Sequence, residues 1–314
     1  YSSAASDVYK RQNQMLKKII IIAVYFLLSS ITYSQELYIV SHPAANLAKN
    51  RLEFRNIILG FDNFKYFHNS FELNYGILGN LTVYNSVFYS TQNGYKFLGN
   101  YEGSVRYRIH DVDKKNYHLR MAAQSAIVIP VNSQPIVGDK VEYELHPGHK
   151  VSFYNFVNDI TVPSVDFHTT DNYTLKNDFI VTNLIKKFSI TGEMGYNINI
   201  PKNDFKFGNY FDWSLAMGLL VLPKKYESYN DVNVNLYSES KANYFFKNQF
   251  LGKDIVNSGG FRFDTYVGIQ AIFFSSLMAE FSYKIPVYSN EYAETTVGKR
   301  SNALLMSLRY LFFL

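Results

Sequence analysis

The chain from residue 51 onward consists of runs of about nine to fifteen residues in which apolar and polar side chains alternate. The clearest run is FRFDTYVGIQAIFF (261–274), which sets Phe263 and Val267 on one face and Arg262 and Asp264 on the other. Successive side chains of a β-strand point to opposite faces, whereas an α-helix returns to the same face every three or four residues. The period of two therefore predicts strands with one apolar and one polar face.

Twelve such runs follow one another along the chain. They are 51–59, 70–78, 81–91, 101–110, 117–130, 173–184, 188–200, 211–222, 231–245, 261–274, 277–289 and 302–314. The connections after even-numbered runs are short (79–80, 111–116, 185–187, 223–230 and 275–276), and the longest of the others covers residues 131–171. Short turns on one side and long loops on the other are typical of outer-membrane barrels.

This organisation predicts an all-β fold for residues 51–314: a transmembrane, antiparallel, up-and-down β-barrel of twelve strands. The short turns would be periplasmic and the long loops, above all 131–171, extracellular. An even number of strands places both ends of the barrel on the short-turn side. A soluble β-sandwich is the alternative that the alternation leaves open.

The last run, NALLMSLRYLFFL (302–314), favours the barrel. Leu308 and Phe312 belong to a wholly apolar face, and Arg309 lies on the other face. Every backbone polar group in lipid must be paired, so strands cross a bilayer only in a closed ring. The composition agrees, because 27 Tyr and 26 Phe suit the aromatic girdles of membrane barrels.

The residues before the barrel divide into three parts. Residues 1–14 precede the first Met and resemble translated sequencing linker, so we exclude them from the fold. Residues 15–34 have a basic start, a short apolar core and small residues near the end, which predicts a secretory signal peptide cleaved between Ser34 and Gln35. An N-terminal membrane anchor is the alternative. Residues 35–50 form either a lead-in or a small plug of the barrel.

Net charge and cysteine content exclude several classes of function. The formal charge of +5 falls to +2 without residues 1–34, which carry four basic groups and one acidic group. A nearly neutral chain gives no reason to expect nucleic acid as a partner. The absence of cysteine excludes disulfides, thiolate metal sites and a cysteine nucleophile.

In the predicted register the charged side chains of the strands face the lumen. The candidates are Glu53, Arg55, Glu72, Glu102, Arg106, Arg108, Arg120, Lys176, Asp178, Glu193, Glu239, Lys241, Arg262, Asp264, Glu280, Lys284 and Arg309. Two interpretations stay open: a lattice of ion pairs that fills the barrel, or a polar pathway for solutes. If Arg106, Arg108 and Arg120 line a water-filled path, they would favour anionic solutes.

Motifs of catalysis are missing from the sequence. It contains no G-x-S-x-G, no glycine-rich phosphate loop, no H-E-x-x-H and no calcium loop, so we predict neither an enzyme nor a cofactor. His146 and His149 lie three residues apart in the longest loop, which also holds His168. These three are weak candidates for a metal site, because loop histidines are usually only solvated.

Four stretches resemble outer-membrane barrels of the Bacteroidota, and more distantly the outer-membrane proteins grouped with phenol meta-pathway transporters. They are TYSQE at the end of the signal, SHPAANLAKNRLEFR (41–55), LLVLPKKYESYNDVNVNLYSES (219–240) and the aromatic last strand. The resemblance implies the outer membrane of a Gram-negative bacterium as location. It also implies outer-membrane lipid as partner, with periplasmic chaperones and the barrel-assembly machinery during biogenesis.

These observations together predict a narrow channel or transporter for a small solute or a hydrophobic compound. The alternative is a non-transporting structural or surface-binding barrel that acts through its extracellular loops. The third hypothesis is an outer-membrane hydrolase, which would need a serine and a histidine within hydrogen-bond reach.

Overall fold

The structure is a computed structural model that describes residues 38–61, 66–92, 95–131, 140–146, 149–154, 173–201, 205–223, 231–256, 258–290 and 302–313. The predicted linker (1–14) and signal peptide (15–34) lie outside these ranges, as does much of the 131–171 loop. No helix in the described ranges is long and apolar enough to cross a membrane.

The described elements are strands. They are β1 (Arg51–Phe61), β2 (Tyr66–Leu78), β3 (Leu81–Gln92), β4 (Tyr95–Lys114), β5 (Tyr117–Pro130), β6 (Lys140–His146), β7 (His149–Tyr154), β8 (Thr174–Ile185), β9 (Phe188–Asn199), β10 (Phe205–Lys206), β11 (Tyr210–Leu222), β12 (Asn233–Phe245), β13 (Gln249–Phe250), β14 (Lys253–Asp254), β15 (Gly260–Phe273), β16 (Leu277–Ser289) and β17 (Ala303–Phe313).

Twelve of these strands form a closed antiparallel barrel in the order β1-β17-β16-β15-β12-β11-β9-β8-β5-β4-β3-β2. Each strand pairs with its neighbours along the chain, and β1 closes the ring against β17 from Arg51↔Phe313 to Gly60↔Leu304. The prediction of a twelve-stranded up-and-down barrel is confirmed, and its twelve runs correspond one to one with the barrel strands. Closure leaves no unpaired edge between first and last strand, unlike a sandwich.

Burial alternates along the barrel strands as the sequence pattern predicts. On β17, Leu308 is 51% exposed and Phe312 42%, whereas Ser307 is 6% and Arg309 1% exposed. The same alternation runs along β9, where Glu193 is buried and Met194 is exposed. A barrel that is apolar outside and polar inside is the reverse of a soluble domain, and it suits a lipid surrounding.

The hairpin between β4 and β5 differs from the prediction. Residues 111–116 were expected to form a turn, but the strands pair up to Lys114↔Tyr117, and only residues 115 and 116 turn. Asn116 adopts a left-handed φ of 64°, which asparagine tolerates well in tight turns. The run from Asp111 to Lys114 resembles a loop in the sequence because Val112 is its only apolar residue. It forms a hairpin end that extends past the neighbouring β2–β3 turn, where Arg108 N donates to Asn80 O.

Two small sheets lie in the connections and were not predicted. The 131–171 loop contains the β6–β7 hairpin, and β10, β13 and β14 form a three-stranded sheet beside the barrel strands β11 and β12. Segments this short carry too few alternating positions to be distinguished from loops. The long loops therefore carry local structure of their own.

Candidate functional site in the barrel lumen

Residues 38–50, called the internal segment below, run through the lumen before β1 begins. Tyr38, Ile39, Ala44 and Leu47 are all buried, with exposed fractions between 0% and 7%. The segment's polar contacts come from the inward side of β12, β9, β8, β4, β3 and β1. A segment that touches six strands around the ring can do so only from inside the barrel.

Two glutamates hold the start of the internal segment through its backbone. The Glu239 carboxylate accepts from Ile39 N at 3.1 Å, from Val40 N at 3.2 and 3.3 Å, and from Ser41 N at 2.5 Å. Glu193 accepts from His42 N at 3.3 Å and contacts His42 Nδ1 at 3.0 Å. Four consecutive backbone amides, those of residues 39–42, therefore donate hydrogen bonds to carboxylates. Hydrogen bonds to a charged acceptor are stronger than those between neutral groups.

Two arginines hold carbonyl groups of the same segment. Arg106 Nη1 donates to Pro43 O at 2.8 Å and to Ala45 O at 3.1 Å, while its Nε donates to Gln124 Oε1 at 2.8 Å. Arg55 Nη2 donates to Tyr38 O at 3.1 Å and to Ile39 O at 3.0 Å. These buried carbonyls cannot bond to one another in an extended segment, so the wall supplies their partners.

The segment leaves the lumen on the side of the short turns. Leu47 N donates to Thr82 Oγ1 at 2.9 Å, and Asn50 N donates to Gly76 O at 2.8 Å. A Cβ at Gly76 would collide with the backbone carbonyl of Ala48, so the close approach of the two chains requires glycine there.

The lumen wall formed by β15, β16, β17, β1 and β2 is a lattice of ion pairs, called the paired wall below. Arg262 and Lys284 contact Asp264 at 2.9 and 3.2 Å, and Arg309 lies 3.8 Å from Glu53 and 3.7 Å from Glu280. Arg55 contacts Glu280 at 3.3 Å and Glu72 at 3.8 Å. Four carboxylates and four basic groups form these ion pairs, and Arg51 on β1 is a fifth buried basic group on this side.

The opposite wall is formed by β4, β5, β8, β9, β11 and β12. Away from its short-turn end it carries an excess of carboxylates, and it is called the acidic wall below. Its acidic groups there are Glu102, Asp178, Glu193, Asp212 and Glu239, and its basic groups are Arg106, Lys176 and Lys241, while Arg108 and Arg120 lie nearer the short turns. Lys176 pairs with Glu102 at 3.3 Å. Two walls of different charge balance face each other across the lumen.

Most of the predicted lumen candidates are buried on the inner side of the barrel. Arg106, Glu193, Glu239, Arg262, Asp264, Glu280, Lys284 and Arg309 are 1% to 7% exposed. Glu72 and Glu102 keep 17% and 12% of their side chains exposed, and Lys241 on β12 is half-buried. That these residues line a solute path stays a prediction.

Arg108 and Arg120 stand apart from Arg106. Arg108 is half-buried at the bulge between Arg108 and His110, and Arg120 pairs with Asp113 at 3.6 Å near the β4–β5 turn. The three arginines therefore do not form one positive patch: Arg106 is bound to the internal segment, and the other two lie near the short-turn end.

The three histidines named above as weak metal-ligand candidates lie in the 131–171 loop. His146 and His149 face each other across the β6–β7 hairpin, but their side chains and His168 lie outside the described residues. Among the residues that the structure does describe, no group of three or more His, Cys, Asp or Glu side chains could hold a metal ion.

Sequence reasoning missed Asp212, which the structure places beside Asp178. Asp178, Gly195 and Asp212 are direct neighbours across β8, β9 and β11. Asp212 lies between Phe211 and Trp213, so the alternation alone could have assigned it to the lumen. The contacts of the internal segment had no such signal, because its partners lie up to 200 residues away.

Comparison with known proteins supports the architecture. No protein-family model and no curated protein matches the sequence of this chain. The fold is similar to the COG4313 outer membrane channel from Pseudomonas putida F1, with a TM-score of 0.59 and 9% identity, covering 88% of this chain and 100% of that one. The NanC porin is less similar, with a TM-score of 0.44 and 8% identity, covering 84% of this chain and 99% of that one.

The similarity to the COG4313 channel shows the fold alone. It agrees with the broad part of the resemblance stated above, an outer-membrane type of barrel. The Bacteroidota origin and the likeness to meta-pathway transporters stay predictions. The solute has to be inferred from the residues of this chain.

Proposed function

We propose that this protein is a narrow channel for small solutes in the outer membrane of a Gram-negative bacterium. The observation that carries the proposal is a closed barrel whose outer surface is apolar and exposed, while its inner surface is polar and charged. Such a distribution suits lipid outside and water or a polar solute inside. Outer-membrane lipid would be its permanent partner, and chaperones and the barrel-assembly machinery its partners during biogenesis.

The internal segment would narrow the path in this channel. It occupies the lumen between the acidic wall and the paired wall and is held at both its amides and its carbonyls. After cleavage at the predicted site, only residues 35–37 would precede it. The fold similarity to a channel supports the proposal and weighs against the hydrolase.

The second candidate function is a non-transporting barrel that binds partners through its loops. The same internal segment favours it, because together with the ion-pair lattice it occupies part of the lumen. A measurement of ion conduction distinguishes the channel from the loop-binding barrel. The two functions make opposite predictions for the mature protein and agree that the fold is a membrane barrel.

Single-channel recording in planar bilayers tests the proposal. Mature protein beginning at residue 35 is compared with a variant that lacks residues 35–47. We expect a small current from the mature protein and a several-fold larger current from the deletion variant, because the lumen then loses its internal segment. A synthetic peptide of residues 35–47 should restore the small current, and a peptide of scrambled order should not. Absence of current from both folded forms would favour the loop-binding barrel.

A further inference from the structure

We propose that the acidic wall holds a binding site for a primary ammonium group, formed by Asp178, Asp212 and Asn197 on the extracellular side of the internal segment. The two aspartates flank Gly195 on adjacent strands, and Asn197 follows two residues later on the same face of β9. All three are at least nine-tenths buried, at 7%, 7% and 0% exposure.

The missing side chain of Gly195 lets the two carboxylates converge. An ideal Cβ at this position would overlap both Asp178 Oδ1 and Asp212 Oδ1, so these oxygens occupy the space above the glycine backbone. Two carboxylates so close together repel each other in a medium of low dielectric constant. A positive group placed between them relieves this repulsion.

Two buried acceptors at this place have no donor. Asp178 Oδ1 and Asn197 Oδ1 accept no hydrogen bond from the described part of the chain. Asp212 Oδ1 accepts only the short bond from Asn197 Nδ2, at 2.5 Å. Buried acceptors are normally paired, and leaving them unpaired destabilises the folded state, most of all when the group is charged. The site therefore lacks a donor that also carries positive charge.

The basic groups of the acidic wall attract the two aspartates but donate no hydrogen bond to Asp178 Oδ1 or Asn197 Oδ1, although Lys176 on β8 and Lys241 on β12 interact favourably with the charge of Asp212. Lys176 Nζ is turned to Glu102 at 3.3 Å, and Arg106 is bound to the internal segment and to Gln124. Glu193 is the next inward-facing residue of β9 toward the short turns. Its carboxylate contacts His42 Nδ1 at 3.0 Å and accepts a hydrogen bond from the Ser214 hydroxyl at 3.0 Å. The acceptors Asp178 Oδ1 and Asn197 Oδ1 therefore receive no hydrogen bond from these residues.

A primary ammonium suits these acceptors better than a metal ion. It offers three N–H donors around one charge, and the site offers oxygens of Asp178, Asp212 and Asn197. A calcium ion takes six to eight oxygens, and the described residues contain no acidic or histidine triad that could hold a metal. A site in a permeation path must also release its ligand, which favours the weaker partner.

The inference deepens the proposed channel, because it names amines as solutes. Binding is nevertheless measurable without conduction, by isothermal titration calorimetry on folded protein in detergent with methylammonium chloride. Tetramethylammonium has the same charge and no N–H donor, and calcium chloride tests a metal site. We expect saturable methylammonium binding and at least about tenfold weaker tetramethylammonium binding, as lost hydrogen bonds to a charged group imply.

Two variants locate the site. Asp178→Asn should weaken methylammonium binding about tenfold or more, whereas Glu72→Gln on the paired wall should leave it unchanged. The room-temperature mobility of each variant in SDS shows whether it is folded. If Asp178→Asn does not fold, the wild-type preference for methylammonium over tetramethylammonium still decides the inference.

The outcomes separate this inference from the proposed channel. Methylammonium binding without current would support the site and contradict conduction. Current without methylammonium binding, tighter binding of calcium, or equal binding of the two ammonium ions would overturn the ammonium site and leave conduction standing. Unchanged methylammonium binding by a folded Asp178→Asn variant would also overturn it.

Discussion

Arg106 illustrates what alternation along a strand does and does not predict. Its position on β4 assigns it to the lumen, and it is 1% exposed there. Its partners could not be read from the sequence, because Pro43 and Ala45 lie about sixty residues earlier in a segment without periodicity. Its guanidinium also lies over the Tyr84 ring at 4.5 Å. Arg106 was expected to attract anions, but in the structure its guanidinium binds the carbonyl groups of the internal segment.

Gly195 and Gly192 offer a matched pair of substitutions on β9. Gly195→Ala would place a Cβ on the oxygens of Asp178 and Asp212, whereas a Cβ at Gly192 meets nothing within 4 Å. We expect Gly195→Ala to lower the free energy of unfolding by about 1–3 kcal/mol, the usual cost of overpacking. Gly192→Ala should change it little.

Urea unfolding of the two variants in detergent, followed by tryptophan fluorescence, measures the difference. Equal stability of the two alanine variants would mean that the carboxylates do not occupy the space above Gly195. A larger loss for Gly192→Ala would contradict the assignment of β9 residues to the two faces.

The strands show which parts of the fold a sequence pattern determines. Each barrel strand has at least ten residues and one exposed apolar face, so its type and its orientation were predictable. The end of β4 was not predictable, because residues 111–114 lie beyond the apolar belt and contain one apolar side chain, that of Val112. The path of the internal segment depends on contacts with six strands, which no local pattern encodes.

A pair of aspartate substitutions tests the two faces of β17. Leu308 is half-exposed on the outside, whereas Ser307 is buried and accepts a hydrogen bond from Arg55 Nε at 3.3 Å. Leu308→Asp should destabilise the barrel by about 1–3 kcal/mol because it places a carboxylate in lipid. Ser307→Asp should be tolerated better, because the new carboxylate lies beside Arg55.

Urea unfolding of the two variants in lipid vesicles measures the free energy of unfolding of each. Equal damage by the two substitutions would indicate that the register of β17 is shifted by one residue, since such a shift exchanges the faces.

Glu239 is the residue whose removal should loosen the internal segment. Its carboxylate accepts from Ile39 N, Val40 N and Ser41 N, and Gln in its place offers one acceptor atom and an unwanted donor. We expect Glu239→Gln to accelerate hydrogen exchange of these amides about tenfold to a hundredfold, since each lost bond to a charged group is worth about 1.5–3 kcal/mol.

Hydrogen exchange followed by mass spectrometry measures this effect on peptides that cover residues 38–50. Glu102→Gln is the matched control, because Glu102 forms its ion pair with Lys176, which is a residue of the barrel wall. Unchanged exchange in folded Glu239→Gln would mean that the segment is held mainly by Arg55 and Arg106.

The molecule divides its lumen between two walls with different charge balance. On the paired wall, buried ions of opposite sign lie close together, so removing one leaves its partner uncompensated. On the acidic wall, part of the negative charge is used to bind backbone amides of the internal segment. Another part converges at Gly195, where Asp178 Oδ1 accepts no hydrogen bond from the described part of the chain. The asymmetry gives the barrel one side that maintains its shape and one side that can bind a ligand.

Closure of the ring by β1 and β17 is the property on which the stability of the whole barrel depends. Every strand then has two hydrogen-bonded neighbours, so no backbone edge is exposed to lipid or detergent. The folded protein should therefore resist SDS at room temperature and change its mobility on boiling.

Deleting residues 303–314 removes β17 and leaves β1 and β16 as open edges, because ten positions of β1 lose their partners. This variant should migrate in the same way before and after boiling, whereas deleting residues 140–154, which hold the β6–β7 hairpin outside the ring, should preserve the shift. Identical mobility of the full-length protein before and after boiling would contradict the closed membrane barrel, because an open or soluble sheet has no comparable barrier to SDS.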